Sequence, residues 1–346
     1  MKPSLTFSRT TADEKNEISC PREIQHISVN VTSNLIAEHR HGTNNLANEM
    51  QTLCSDVPRS EFVRHVSFTP GHAPCVVLFT DERMSDIKRF CGASAPESIR
   101  SVFCVDRTFN ASSLFLTVTV FKNNSELRNK TMQAPIFFGP MFLHGDGTYM
   151  TYLTFFMLLR GFLDTELHAS ELKVLDGMVT GSDEEKALVK ALHAAFPTSR
   201  HLFCMIHCQD NVRDHMSKSG VAQPVLEQVL RLSFGAEGVA LSDGEEVFED
   251  RRAETLQFVR QTCASLEDYI AAHIIPKLLN NCAILWAAPW LAPHRWTSNA
   301  CESANNMIKL ALDWKPARLT DLVSHLHDTV KVQYKSVQRA MIGQEV

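Results

Sequence analysis

The order of elements legible in the sequence predicts an α/β fold built on one mixed sheet. Three observations carry that expectation. Three strand-like runs follow one another between residues 101 and 143, with only turn-like sequence between them. Helix-, strand-, helix- and strand-like segments then alternate to residue 207. A long helical stretch with no strand signal separates this block from two C-terminal amphipathic helices. Antiparallel meanders need only turns, whereas parallel strands need crossovers, so the meander is expected to be antiparallel and the later strands parallel.

The first strand, Ser101–Asp106, is apolar and runs up to an acid. The second, Leu114–Phe121, alternates and is rich in β-branched residues. Ala134–Leu143 is the third, and Pro135 and Pro140 predict that it is irregular or lies near an edge. Thr148–Phe162 is a helix with Tyr152, Phe155, Phe156, Leu159 and Phe162 on one face. A weaker strand over Lys173–Asp183 leads into a helix carrying Ala187, Leu188, Ala191, Leu192 and Ala195, stopped before Pro197. His201–His207 is the fifth strand. Three antiparallel strands, a helix, a strand, a helix and a strand is the order of an RNase H-like fold. Ahead of this block, Cys75–Thr80 is a short apolar run that leads into a helix over Asp81–Cys91.

The boundaries that follow are a polar, partly disordered N-terminal segment over 1–70 and a first core part over 71–207. A helical insertion over 208–294 precedes C-terminal core helices over 295–346. Hydrophobic residues make up 44% of the 346, enough for a sizeable core. No run reaches the roughly 18 apolar residues of a membrane span, and no signal-peptide core opens the chain, so a soluble intracellular protein is expected. The ten cysteines include no Cys-x-x-Cys, which argues against a zinc ribbon or a disulfide framework. The sequons at Asn30, Asn110, Asn123 and Asn129 then read as chance matches. The net charge of −5 speaks against a nucleic-acid partner, because duplex binding usually shows a basic surface, although net charge does not report distribution and a metal-dependent nuclease must carry an acidic site.

Three acids occupy positions suited to hard cations, which take carboxylate oxygens from rigid elements. Asp106 ends a strand, Asp183 stands where a strand passes into a helix, and Glu302 lies on an amphipathic helix from Asn299. That helix has Ala300, Cys301, Ala304, Met307, Ile308, Ala311 and Leu312 as its apolar stripe. Glu302, Asn306 and Lys309 fall on another face. Singly, each acid has an ordinary explanation: a turn Asp, a helix-start acid with Ser182 and Glu185 as a capping box, and a solvated helical Glu.

In combination they resemble the Mutator-like element transposases, whose catalytic domain carries an Asp, Asp, Glu triad on an RNase H-like core. The family's Asp-Gly-Thr-aromatic motif is similar to Asp106-Arg107-Thr108-Phe109. Its second acid has a counterpart in Ser182-Asp183, followed by Ala187-Leu188 and Phe196-Pro197. Its Cys-x-x-His resembles Cys204-Met205-Ile206-His207, and its Asn-x-x-Glu-Ser-x-Asn pattern resembles Asn299 to Asn305, with Lys309 beyond. The resemblance covers roughly residues 75–330.

It implies a cut-and-paste DNA transposase acting in the nucleus, with two Mg²⁺ or Mn²⁺ ions on Asp106, Asp183 and Glu302. Cys204, His207, Asn299, Asn305 and Lys309 would support the site. Its partners would be transposon ends and target DNA, and a homo-oligomer would hold two ends together. Arg107 departs from the family's Gly and raises a question about the local turn. Asp146-Gly147-Thr148-Tyr149 matches the first motif better by letter but follows the third strand, and is set aside. Trp286, Trp290 and Trp296 are expected in the core. No N-terminal zinc-binding domain and no C-terminal Cys-x-Cys zinc finger is visible, which predicts a fragment, a degenerate copy, or another mode of end recognition. The alternative is a host-domesticated, non-catalytic domain that binds DNA or protein.

Overall fold

The computed structural model describes residues 43–69, 71–108, 111–128, 131–164, 177–291 and 296–341. Seven strands form one mixed sheet: β1 (Val63–Ser67), β2 (Cys75–Leu78), β3 (Phe103–Thr108), β4 (Phe115–Lys122), β5 (Ile136–His144), β6 (Val179–Ser182) and β7 (Arg200–Phe203). Their spatial order is β1-β2-β5-β4-β3-β6-β7. The neighbours from β1 through to β3 are antiparallel, and β3, β6 and β7 run parallel. The predicted mixed α/β character is therefore present, with a three-stranded antiparallel meander and two parallel strands.

Period-two alternation sends side chains to two separate cores. Cys104, Leu116, Val118, Val120 and Met141 face one side. Helices α1 (Thr43–Asp56), α10 (Asn299–Ala311) and α11 (Leu319–Met341) cover it. Phe103, Val105, Phe121, Phe137 and Phe142 face the other, under α2 (Asp81–Cys91), α3 (Tyr149–Asp164) and α4 (Lys186–Ala195). With both faces covered, the central strands are buried along nearly their whole length. Each large side chain so buried contributes on the order of 1.5–3 kcal/mol.

Four sequence expectations need correction. Of the two expectations for the prolines of β5, irregularity is met and the edge position is not, because β2 and β4 flank the strand. The pairing with β2 ends at Met141, so the missing amide of Pro140 costs no bond there. Opposite it the β4 register shifts between Val118 and Val120, and Thr119 Oγ1 donates to the Pro140 carbonyl at 2.7 Å. The strand over 201–207 is also shorter than expected, since the chain turns into α5 (Met205–Lys218) after Phe203. Residues 43–69 contribute α1 and β1 within the segment expected to be polar and partly disordered. Met50 and Leu53 are buried against the first core, and Leu46 packs there too. Buried Glu49 accepts the Leu319 amide at 2.7 Å, tying α1 to the start of α11. Finally, Met307 and Ala311 are exposed, while Ala300, Cys301, Ala304 and Ile308 of the expected stripe are buried together with Asn305.

A third core belongs to α5, α6 (Gln223–Phe234), α7 (Glu245–Cys263) and a long final element. That element begins as one turn, α8 (Glu267–Tyr269), widens to a π segment over Ile270–Ile274 and continues as α9 (Ile275–Trp286). The helix α9 also closes the open edge of the sheet. Asn281 Nδ2 donates to the Phe203 carbonyl at 2.7 Å and its Oδ1 accepts the Phe203 amide at 3.0 Å. Asn280 donates to the His201 carbonyl at 2.7 Å. Side-chain amides thus stand in for a neighbouring strand on β7.

Among the described residues no helix is long and apolar enough to cross a membrane. The expectations for Phe109, Asn110 and Asn129, and for the strand start at Lys173, fall outside the described residues.

Candidate active site

Asp106 is the fourth residue of β3, not its end, and alternation turns it to the same face as Cys104, beneath α10. Its Oδ1 accepts the Arg107 amide at 2.9 Å and its Oδ2 accepts Asn305 Nδ2 of α10 at 2.7 Å. Asp183 follows β6 directly. Cys104 and Gly181 are partners in the parallel pairing of β3 with β6. Two residues further along each chain stand Asp106 and Asp183, close enough for the Asp183 charge to act on Asp106. Neighbouring strands lie about 4.8 Å apart, which sets the scale of that juxtaposition. Burial and the Asp183 charge push the Asp106 carboxyl up to about 6, against the opposing pull of the Arg107 amide, His207 and Asn305.

Three consecutive acids after β6 go three ways. Asp183 stays by Asp106, its Oδ1 accepting the Glu185 amide at 3.3 Å. Glu184 pairs with Lys277 of α9. Glu185 turns to the opposite face, where it accepts Tyr152 Oη at 2.9 Å and pairs with Arg107 at 3.4 Å. The Ser182–Glu185 capping box does not form, because buried Ser182 bonds instead to the Asp183 carbonyl and to the His201 ring. Nor is there a turn at Arg107: β3 runs on to Thr108, and the guanidinium lies over Phe115 at 5.2 Å. A Cβ on Gly147 would stand 2.2 Å from Arg107, so the glycine of the set-aside motif makes room for this arginine. Asp146 itself accepts Thr148 and Thr151 at the start of α3.

Cys204 and His207 are not alternating strand residues. Cys204 caps the N-terminus of α5 and is fully buried, and His207 lies in the first turn. Ser298, just ahead of α10, joins them: its amide donates to Cys204 Sγ at 3.3 Å and its Oγ is 3.4 Å from His207 Nδ1. Burial pushes the Cys204 thiol up, and the bonds from His207 and Ser298 outweigh it and bring it below its ordinary value. The bond to Cys204 is the largest cause holding His207 up at about 9, and Asp183 and Asp106 add to it. A cationic imidazole therefore borders the acid pair. Trp296 completes the wall. Its ring would lie 2.2 Å from a Cβ on Gly181, so only glycine admits it against β6. Trp296 and Trp290 pack half-buried on the first core. Trp286 is half-buried on the third, its Nε1 donating to the Ser242 carbonyl at 2.7 Å.

Glu302 is exposed in the first turn of α10, one turn before the Asn305 that reaches Asp106. Asn299 is also exposed, and half-exposed Lys309 sits with its Nζ 5.9 Å from the Trp314 ring. Among the described residues no three His, Cys, Asp or Glu side chains are gathered closely enough to hold a metal ion. What is gathered is Asp106, Asp183 and the carboxamide of Asn305, whose buried Oδ1 has no hydrogen-bond partner. Two carboxylates and a neutral oxygen suit a hard divalent cation that takes its remaining ligands from water and substrate. Sequence reading missed Ser298 and Gly181, which carry no motif letter, and gave Glu185 only a capping role; what these residues do exists only through contacts across the chain.

Comparison with known proteins returns no match, either to protein-family models or to curated proteins.

Proposed function

We propose that this chain is the catalytic domain of a cut-and-paste DNA transposase with an RNase H-like core. The single observation that carries the reading is the parallel pairing of β3 with β6, which brings Asp183 close enough to Asp106 for its charge to add to burial in pushing the Asp106 carboxyl up to about 6. The strand order β5-β4-β3-β6-β7, antiparallel then parallel, supports it.

Asp106 and Asp183 would hold Mg²⁺ or Mn²⁺, with Asn305 Oδ1 as an additional oxygen. Such an ion supplies charge that activates a water or 3′-hydroxyl and steadies the leaving oxygen of a phosphodiester. The protein's own contribution is orientation. The Asn305 amide fixes one oxygen of Asp106 and the Arg107 amide fixes the other, leaving their remaining lone pairs for the reaction. His207 carries a positive charge beside the acids and suits an anionic phosphate. Glu302 would join only after a rearrangement of its side chain toward Asn305 and Asp106.

The test is nicking of supercoiled DNA by the purified chain in Mg²⁺ or Mn²⁺. Nicking that disappears in Asp106→Asn and in Asp183→Asn supports the reading, and nicking undiminished in both removes it. The exposure of Glu302 favours a second reading, a domesticated DNA- or protein-binding domain without catalysis. DNA binding unchanged by chelator and by either substitution, with no nicking, would support that one.

A further inference from the structure

Trp314 is the one exposed aromatic side chain among the described residues, at 61%. Exposure of an indole is costly to solvation and unusual beside a polar site. The backbone holds it there by force: Asp313 and Trp314 are consecutive non-glycine residues with φ of 50° and 58°. Residues with a Cβ adopt that left-handed region at a cost. Two hydrogen bonds fix the turn, Trp314 N–H to the Lys309 carbonyl at 2.8 Å and Lys315 N–H to the Leu312 carbonyl at 3.0 Å. The Ala317 amide then donates to the Ala111 carbonyl at 2.9 Å, anchoring the turn beyond the end of β3, the strand that carries Asp106.

Position and charge say what such a ring would meet. Asn305 and Lys309 are four residues apart and so lie on one flank of α10. Lys309 stands one turn past the Asn305 that touches Asp106, roughly 6 Å along the helix at about 1.5 Å per residue, and Trp314 follows just beyond the helix end. The ammonium of Lys309 is 5.9 Å from the indole ring, and exposed Lys315 follows it. Lys309 is the cation over the ring and Lys315 is its chain neighbour, while Arg318 is engaged with Glu49 and Asp321. An aromatic plane flanked by cations is the arrangement that stacks a base and meets its phosphates. We propose that Lys309 and Trp314 form a seat for an unpaired nucleotide of the substrate strand. The indole stacks on its base, and Lys309 and Lys315 face the adjoining phosphates. This rests on the reading of the acid pair as a DNA-cleaving site, and it identifies single-stranded rather than duplex DNA at that flank.

The test uses the whole chain in EDTA, so that it needs neither metal nor cleavage. A short oligothymidylate is titrated while tryptophan fluorescence and anisotropy are followed. We expect quenching that is lost in Trp314→Phe, the other three tryptophans being half-buried, while affinity is largely kept because phenylalanine still stacks. Trp314→Ala should weaken binding about five- to a hundredfold. Lys309→Gln should reduce the salt dependence by roughly one released ion. Equal affinity of Trp314→Ala and wild type overturns the proposal. So does a loss of self-association in Trp314→Ala with oligonucleotide binding unchanged, which would make the ring a contact between copies. If Trp314-dependent binding is found but Asp106→Asn nicks like wild type, the cleavage reading fails and the nucleotide seat stands. The reverse pattern removes the seat alone.

Discussion

Asn305 Nδ2 donates a 2.7 Å hydrogen bond to Asp106 Oδ2 across 199 residues of chain, joining the helix α10 to the central strand β3. A bond to a carboxylate of this kind contributes about 1.5–3 kcal/mol. Asn305→Ala should therefore lower stability by roughly that amount in urea denaturation and weaken Mn²⁺ binding in calorimetry. Asn305→Asp should restore neither, because it adds a third negative charge beside two that already repel. Unchanged metal binding in Asn305→Ala would show that the carboxamide only braces the helix.

The raised Asp106 carboxyl gives stability a definite pH dependence. Its folded value of about 6 lies above the ordinary 3.8, so the native state keeps the proton longer than the unfolded chain. The penalty is absent below about pH 4, grows as pH rises, and is complete above about 6. Asp106→Asn should thus raise the melting midpoint at pH 7.5 by about 2–5 °C and leave it unchanged at pH 4. A variant equally stabilised at both pH values would mean that the buried charge of Asp106, with Asp183 beside it, is not the cause. Divalent metal, which needs the carboxylate, should bind wild type more tightly as pH rises through 6.

The bond to Cys204 dominates what holds His207 at about 9. Cys204→Ala should bring the His207 midpoint down toward 6.5, followed by NMR of its ring protons. The sign follows from the raised value: the stability it contributes is whole below about pH 6.5 and is lost as pH climbs through 9. A His207 midpoint that stays near 9 without the thiol would shift the cause to the two aspartates.

Arg83 is wholly buried yet cationic, its guanidinium 4.3 Å from the Phe137 ring centroid and 4.1 Å from that of Tyr334. It also donates to Gln333 at 2.9 Å and pairs with Asp86 at 3.3 Å, so one side chain fastens α2 to α11. Arg83→Ala strands Asp86 and opens a cavity between two rings. A loss of about 3–5 kcal/mol in urea unfolding is expected. Arg83→Met, which refills the volume, should recover part of it.

Much of this architecture is local chemistry and can be read along the chain. Helix α2 runs over Asp81–Cys91 as its apolar spacing foretells, and the strands β3 and β4 differ from their sequence bounds by one or two residues. Pattern failed where partners rather than periodicity decide. Pro140 sits inside the sheet because β2 stops one residue short of it, and Leu46, Met50 and Leu53 make a helix of a stretch that reads as polar and partly disordered. In the site, the residues at 106, 183, 204, 207 and 305 were visible as letters and were expected together by resemblance alone, but the contacts that join them were not legible.

The sequence by itself determined which side chains can carry charge at strand ends, and which faces of each helix can be buried, because those follow from residue type and a fixed repeat. Only the tertiary structure decided that the charge of Asp183 acts on Asp106, that Asn305 rather than Glu302 bonds to Asp106, and that Gly181 yields its space to Trp296. Strand register and helix docking are set by packing between segments far apart in the chain, and no local pattern encodes a distance across them.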